Sequence, residues 1–119
     1  MLYPLLGPRL HGWLDDAVVA TYVIGALVVG LGGAALGVAL GAAAVHFILT
    51  RLTNYPQGTF KLIPFRTHAF IELAEGVAVL VSACVLSDAP ANVRVFIALM
   101  GISQFLAFSF SDYRWPRPA

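Results

Sequence analysis

Charge is what this chain has least of. Charged side chains make up 11% of its 119 residues, against about 25% in ordinary soluble domains, while 60% are apolar. The mean hydropathy is +0.85, and a water-soluble fold of this size has no interior large enough to hide so much apolar surface. The net charge of +1 offers no basic stripe to displace phosphate counterions, which argues against a nucleic-acid partner. Cysteine is nearly absent. Cys84 stands alone in an apolar run, so neither a disulfide framework nor a CxxC or CxxCH motif exists. The opening MLYPLLGPRLHGW lacks a basic n-region and a small-residue cleavage pattern, so it reads as part of the mature protein rather than a cleaved signal peptide.

Long apolar runs are there instead. Four of them, at about 11–31, 34–53, 67–86 and 92–110, each have the roughly 20 residues with which a helix crosses about 30 Å of hydrocarbon. Gly30-Leu31-Gly32-Gly33 and Ser87 to Asn92 read as tight turns. Asn54 to Arg66, with Pro56, Gly58 and Pro64, reads as a longer connection. The predicted fold is an all-α integral-membrane four-helix bundle. Basic residues set its direction: Arg9, Arg51, Lys61, Arg66, Arg114 and Arg117 fall on the side of the termini and the long connection, and Arg94 alone on the other. By the positive-inside rule both termini of this multi-pass chain are cytoplasmic. Trp13, Tyr55, Phe60, Phe65, Tyr113 and Trp115 share that side, as an interfacial aromatic belt would.

The two halves read as copies. Sliding the second half back by 57 positions lays Arg66-Thr67-His68-Ala69-Phe70-Ile71-Glu72 over Arg9-Leu10-His11-Gly12-Trp13-Leu14-Asp15. At an offset of 58, Ser111-Asp112-Tyr113 lies over Thr53-Asn54-Tyr55 and Gln104 over His46. Residues 1–56 form the first hairpin repeat and 57–119 the connection and second repeat. With two spans per unit, both copies enter the membrane in the same direction, a parallel repeat about an axis along the membrane normal.

The segments RLHGWLD, KLIPFRTHAFIEL and VFIALMGISQFLAFSFSDY carry a resemblance to small bacterial four-helix membrane proteins of the SPW-repeat group. That group shows an R-x-H-G-x-[IL]-[DE] entry in each half, a K-[LV]-I-P-F-R connection and a closing T-D-Y. Where it carries an apolar-Pro-Trp signature, this chain has VSACVLSD. The resemblance implies architecture only, with no activity attached, and the expected location is a bacterial inner membrane.

Ionisable residues inside a span cost roughly 2.5–3.5 kcal/mol each by insertion scales and are functional candidates by default. Counting from Arg9 and Arg66, Asp15 and Glu72 lie about 9 Å along their helices and Glu75 roughly 13 Å. His11 and Asp15 are spaced i,i+4, and His68, Glu72 and Glu75 i, i+4, i+7, each within one helical stripe. His46, Thr50 and Thr53 form a stripe on the second helix, Gln104 and Ser111 on the fourth. Facing inward, these stripes make one polar cluster of His11, Asp15, His46, His68, Glu72, Glu75 and Gln104, with Thr53-Asn54-Tyr55 and Ser111-Asp112-Tyr113 closing the helices.

The plain reading puts His11, His68, Asp15 and Asp16 at headgroup level, capping helices, with the acids paired to histidine or arginine and Asp16 either snorkelling or meeting Arg9. The sharper one brings His11, Asp15, His68 and Glu72 together as ligands for a divalent metal or as a proton-binding cluster. Bis-histidine haem is a weaker alternative. Glu75, with Val18 in the matching place, needs a partner such as His46 or a neutral carboxyl. Gly33, Gly37 and Gly41 form a GxxxGxxxG stripe that reads as a helix-packing surface within the bundle or a dimer. Gly30, Gly32 and Ala35 fit a dinucleotide pattern but follow a helix rather than a strand, and no catalytic set is recognisable. No cofactor is implied outright.

Three functions remain open. The first is assembly, as a homo-oligomer or an accessory subunit of a larger membrane complex, with lipid and other membrane proteins as partners. The second is a small proton or cation transporter or channel using the intramembrane acids and histidines. The third is a haem- or metal-binding bundle.

Overall fold

A computed structural model describes residues 4–116. Its elements run α1 (Pro8–Val29), α2 (Gly33–Leu52), β1 (Thr53–Asn54), β2 (Ile63–Pro64), α3 (Phe65–Val85) and α4 (Ala91–Phe110). All four helices are long and apolar enough to cross a membrane. Arg117, counted above among the basic residues of one side, lies outside the described residues.

Prolines and glycines set the helix ends. Pro8 occupies the first turn of α1, where its missing N–H costs nothing, and Pro64 and Pro90 stand immediately before α3 and α4. Two helices therefore begin earlier than apolarity alone suggests, at Pro8 rather than His11 and at Phe65 rather than Thr67, which takes Arg9 and Arg66 into the first turns. Gly30, at φ 77°, closes α1 in the left-handed region, with the Gly30 and Leu31 N–H groups both returning to the Ala26 carbonyl.

The connection between the hairpins is ordered rather than a plain linker. β1 and β2 pair in parallel, Thr53 opposite Ile63 and Asn54 opposite Pro64, and the Thr59 and Phe60 N–H groups cap the Arg51 carbonyl at 2.8 and 2.9 Å. Gly58 is obligatory here, because a Cβ would stand 1.7 Å from the Thr53 carbonyl oxygen. A second parallel bridge joins Leu6 to Ser111, through Leu6 N–H to Phe110 O and Asp112 N–H to Leu6 O, both at 2.9 Å. Extended stubs thus tie the helix ends together at this linker end.

Inside and outside are inverted relative to a water-soluble bundle. Leu27, Val28, Phe47, Phe70, Val85 and Leu99 are among the many large apolar side chains facing outward, while His11, Asp15, His46, His68, Glu72 and Gln104 are buried. Toward the turn end the interior becomes apolar, with Ala26, Ala35, Ala39, Val79, Val93, Ile97 and Met100 in one cluster. Close helix approach occurs at Gly76 and Gly101, where an added Cβ on either would stand about 3 Å from the other's carbonyl oxygen (3.2 and 2.9 Å). Within the chain Gly25, against the Phe96 ring, and Gly12, against Gln57, are also closely packed, whereas at Gly33, Gly37 and Gly41 an added Cβ meets nothing within 4 Å. The reason lies in the face that α2 turns inward, which is Ala35, Ala39, Ala42, Ala43 and His46, leaving the glycines outside.

Candidate metal centre

Two layers of polar side chains cross the linker-end half of the bundle. In the upper layer, His11 of α1 and His68 of α3 point their Nε2 atoms at each other, 3.3 Å apart. Asp15 and Glu72, one helical turn on from each histidine, close around the same point. His11 Nε2 lies 3.3 Å from Asp15 Oδ1 and 3.3 Å from Glu72 Oε2, and His68 Nε2 lies 3.3 Å from Asp15 Oδ2 and 3.8 Å from Glu72 Oε2. These four residues are at most 1% exposed, and their donor atoms fall within 4.8 Å of one another.

Hydroxyl protons decide the histidine tautomers. Thr53 Oγ1 donates its one proton to the Leu49 carbonyl at 2.6 Å, and Ser111 Oγ donates to the Ala107 carbonyl. Neither hydroxyl has a proton left for a ring, so His68 Nδ1 donates to Thr53 at 2.9 Å and His11 Nδ1 to Ser111 at 2.6 Å. On a neutral ring so held Nε2 carries the lone pair, whereas a protonated ring donates from Nε2 to the carboxylate oxygens 3.3 Å away.

Tyrosines complete this layer. Tyr55 donates to Asp15 Oδ2 at 2.6 Å and Tyr113 to Glu72 Oε2 at 3.2 Å. Burial, reinforced by the adjacent carboxylates, pushes both hydroxyls well above the usual tyrosine range. Phe65 packs edge-on to His11 with ring centroids 5.1 Å apart. Tyr55, Phe65 and Tyr113 are therefore buried around the histidines, not placed in an interfacial belt, whereas Trp13, Phe60 and Trp115 are exposed. The phenol hydroxyls find carboxylate partners only by turning inward.

The lower layer touches every helix. His46 of α2 places Nε2 3.1 Å from Asp15 Oδ1 and Nδ1 2.7 Å from Glu75 Oε2. Gln104 of α4 donates to Glu75 Oε2 at 2.8 Å and accepts from Tyr22 of α1 at 2.6 Å. With a carboxylate oxygen at both nitrogens, the His46 ring donates on both sides only as an imidazolium. Thr50 spends its hydroxyl on the His46 carbonyl.

All seven residues read from the sequence as one polar cluster lie in these two layers, and Thr53, Tyr55, Ser111 and Tyr113 join them. Asn54 serves through its backbone in β1. Asp112 holds the Arg114 guanidinium at 2.8 Å, beside the cluster rather than in it. Asp16 pairs with Arg51 at 2.6 Å, not with Arg9, because the end of α2 comes down beside α1. Tyr22 was not among the sequence candidates, although it stands seven residues after Asp15 and so on the same helical stripe.

No protein-family model, curated protein or solved structure matches this chain.

The upper layer has the size of a metal site. Tetrahedral zinc with nitrogen and oxygen ligands at about 2.0–2.2 Å spaces its ligand atoms roughly 3.3–3.6 Å apart. Four contacts here measure 3.3 Å and one 3.8 Å, with Asp15 offering Oδ1 to His11 and Oδ2 to His68; one donor atom per residue keeps the set within 4.8 Å, so binding would draw the four inward. The ring N–H groups bound to Thr53 and Ser111 are the outer hydrogen bonds that orient a metal-ligating imidazole. Haem does not fit between the histidines. A porphyrin would have to occupy the space that the Asp15 and Glu72 oxygens fill.

Proposed function

We propose that this chain is a multi-pass membrane protein that holds a divalent transition-metal ion of the zinc class between two parallel hairpin repeats. The observation that carries the reading is the convergence of two Nε2 atoms, His11 against His68 at 3.3 Å, with a carboxylate from each helix beside them. Two neutral rings held this way set like against like in a buried site until a metal ion or a proton comes between them. Charge supports it too. Asp15, Glu72 and Glu75 bring three acids to the interior against the ring of His46, which faces a carboxylate at both nitrogens, and a divalent ion bound in place of protons on His11 and His68 balances the set.

The repeat reading draws support from paired contacts. His11 with Ser111 answers His68 with Thr53, Tyr55 on Asp15 answers Tyr113 on Glu72, and the Leu6–Ser111 bridge answers Thr53–Ile63. Membrane insertion is supported by the apolar exterior, and a cytoplasmic linker end in a bacterial inner membrane by the basic residues and the sequence resemblance. Four protein ligands fill a tetrahedral shell and leave no open position, the arrangement of structural rather than hydrolytic zinc. The ion ties the hairpins together, and the protein acts through contacts with other membrane components.

Cobalt titration of the detergent-solubilised, metal-stripped protein tests this. The expected result is stoichiometric binding with the intense visible absorption of tetrahedral Co2+, displaced by Zn2+ and lost in His68→Ala. No binding, with the wild-type chain still helical, would overturn it. A second reading, a proton shared between the imidazoles in a transporter, is favoured by the adjoining Asp15–His46–Glu75 chain. It predicts pH-driven proton flux in liposomes without added metal, and absence of flux removes it.

A further inference from the structure

A groove of about 500 Å³ runs between α2 and α3 on the outer surface, lined in part by Gly37, Gly41 and Val45 on one side and Ala74, Glu75 and Ala78 on the other. Two independent features mark it. The glycines leave the α2 backbone bare, since an added Cβ at either meets nothing within 4 Å. The Glu75 side chain, 7% exposed, brings an acid to the groove, and its Oε1 is buried without a hydrogen-bond partner among the described residues. The other oxygen is held by His46 and Gln104. An unmatched carboxylate oxygen midway along a membrane-length helix is costly until a donor reaches it.

We infer that this groove receives a transmembrane helix of a different membrane protein, one that carries a hydrogen-bond donor or cationic side chain at the depth of Glu75. Bare glycine backbone is what permits close helix approach in lipid, and an interhelical hydrogen bond supplies the specificity. A second copy of this chain fits less well. Its surface hydroxyls Thr21, Ser82 and Ser103 each donate to a carbonyl of their own helix, so they bring Oε1 no free proton. The inference does not depend on a metal in the upper layer.

The test uses defined probes in phosphatidylcholine vesicles: a Leu/Ala transmembrane peptide with one central serine or lysine, and its all-Leu/Ala parent. Energy transfer is read to a dye on Cys84, the single cysteine, which is exposed. Donor peptides are expected to associate roughly 5- to 30-fold more tightly than the parent, the range of an interhelical hydrogen bond in model peptides. Gly37→Leu with Gly41→Leu should abolish that preference while helicity and thermal unfolding stay as in wild type, because an added Cβ at either position meets nothing within 4 Å and the rest of the side chain extends into the open groove. Equal association of all peptides overturns the inference. So does energy transfer between labelled copies that the leucine substitutions abolish, which would assign the groove to self-association.

Discussion

The two polar layers are built on opposite plans. In the upper one each residue has a counterpart across the bundle: His11 and His68, Asp15 and Glu72, Ser111 and Thr53, Tyr55 and Tyr113. In the lower one His46 faces Gln104, and neither Glu75 nor Tyr22 is matched, since Val18 and Val79 stand at the corresponding places. Matching puts identical donors around one point, which suits a small cation. Mismatch puts an acid and a base side by side, which neutralises charge locally and needs no ion. Asp15 belongs to both layers, touching His11, His68 and His46.

Breaking that shared residue should therefore have the largest effect. Asp15→Asn is expected to destabilise the bundle by about 3–5 kcal/mol, the cost of removing one partner from a buried ionic set. Glu72→Gln should cost measurably less, as read from unfolding in mixed detergent micelles. Equal losses would mean that the layers are not joined through Asp15. Next come the hydroxyls behind the imidazoles. Ser111→Ala and Thr53→Val should each weaken Co2+ affinity about 10- to 100-fold, by similar factors, because the upper layer is matched; loss from one alone would break the equivalence. The smallest effect belongs to Tyr22→Phe, which leaves the Gln104 carbonyl oxygen without its donor. A cost of about 1 kcal/mol is expected, with metal affinity unchanged, and a fall in affinity would show that the layers act as one unit.

Local periodicity carried much of this. Helix number and approximate span follow from apolar runs and punctuating prolines and glycines, and the spacings His11–Asp15 and His68–Glu72–Glu75 place those side chains on common stripes. What period cannot carry is contact across the sequence. Tyr55 reaches back 40 positions to Asp15 and Ser111 reaches 100 to His11, and nothing local in an aromatic near a helix end tells an inward phenol from an interfacial one. The glycine stripe was equally silent. Spacing shows that Gly33, Gly37 and Gly41 share a face but not whether that face meets a neighbour in the same chain, and the close approach at Gly76 and Gly101 comes from two lone glycines with no repeat to announce them.

The backbone bridge between Leu6 and Ser111 has an engineering consequence. It holds Leu6 beside Ser111 as the parallel pairing holds Ile63 beside Thr53. A circularly permuted chain, closed by a short connector from Tyr113 to Leu5 and opened within 56–61, would run α3, α4, α1, α2 and keep all four helices and both polar layers in place.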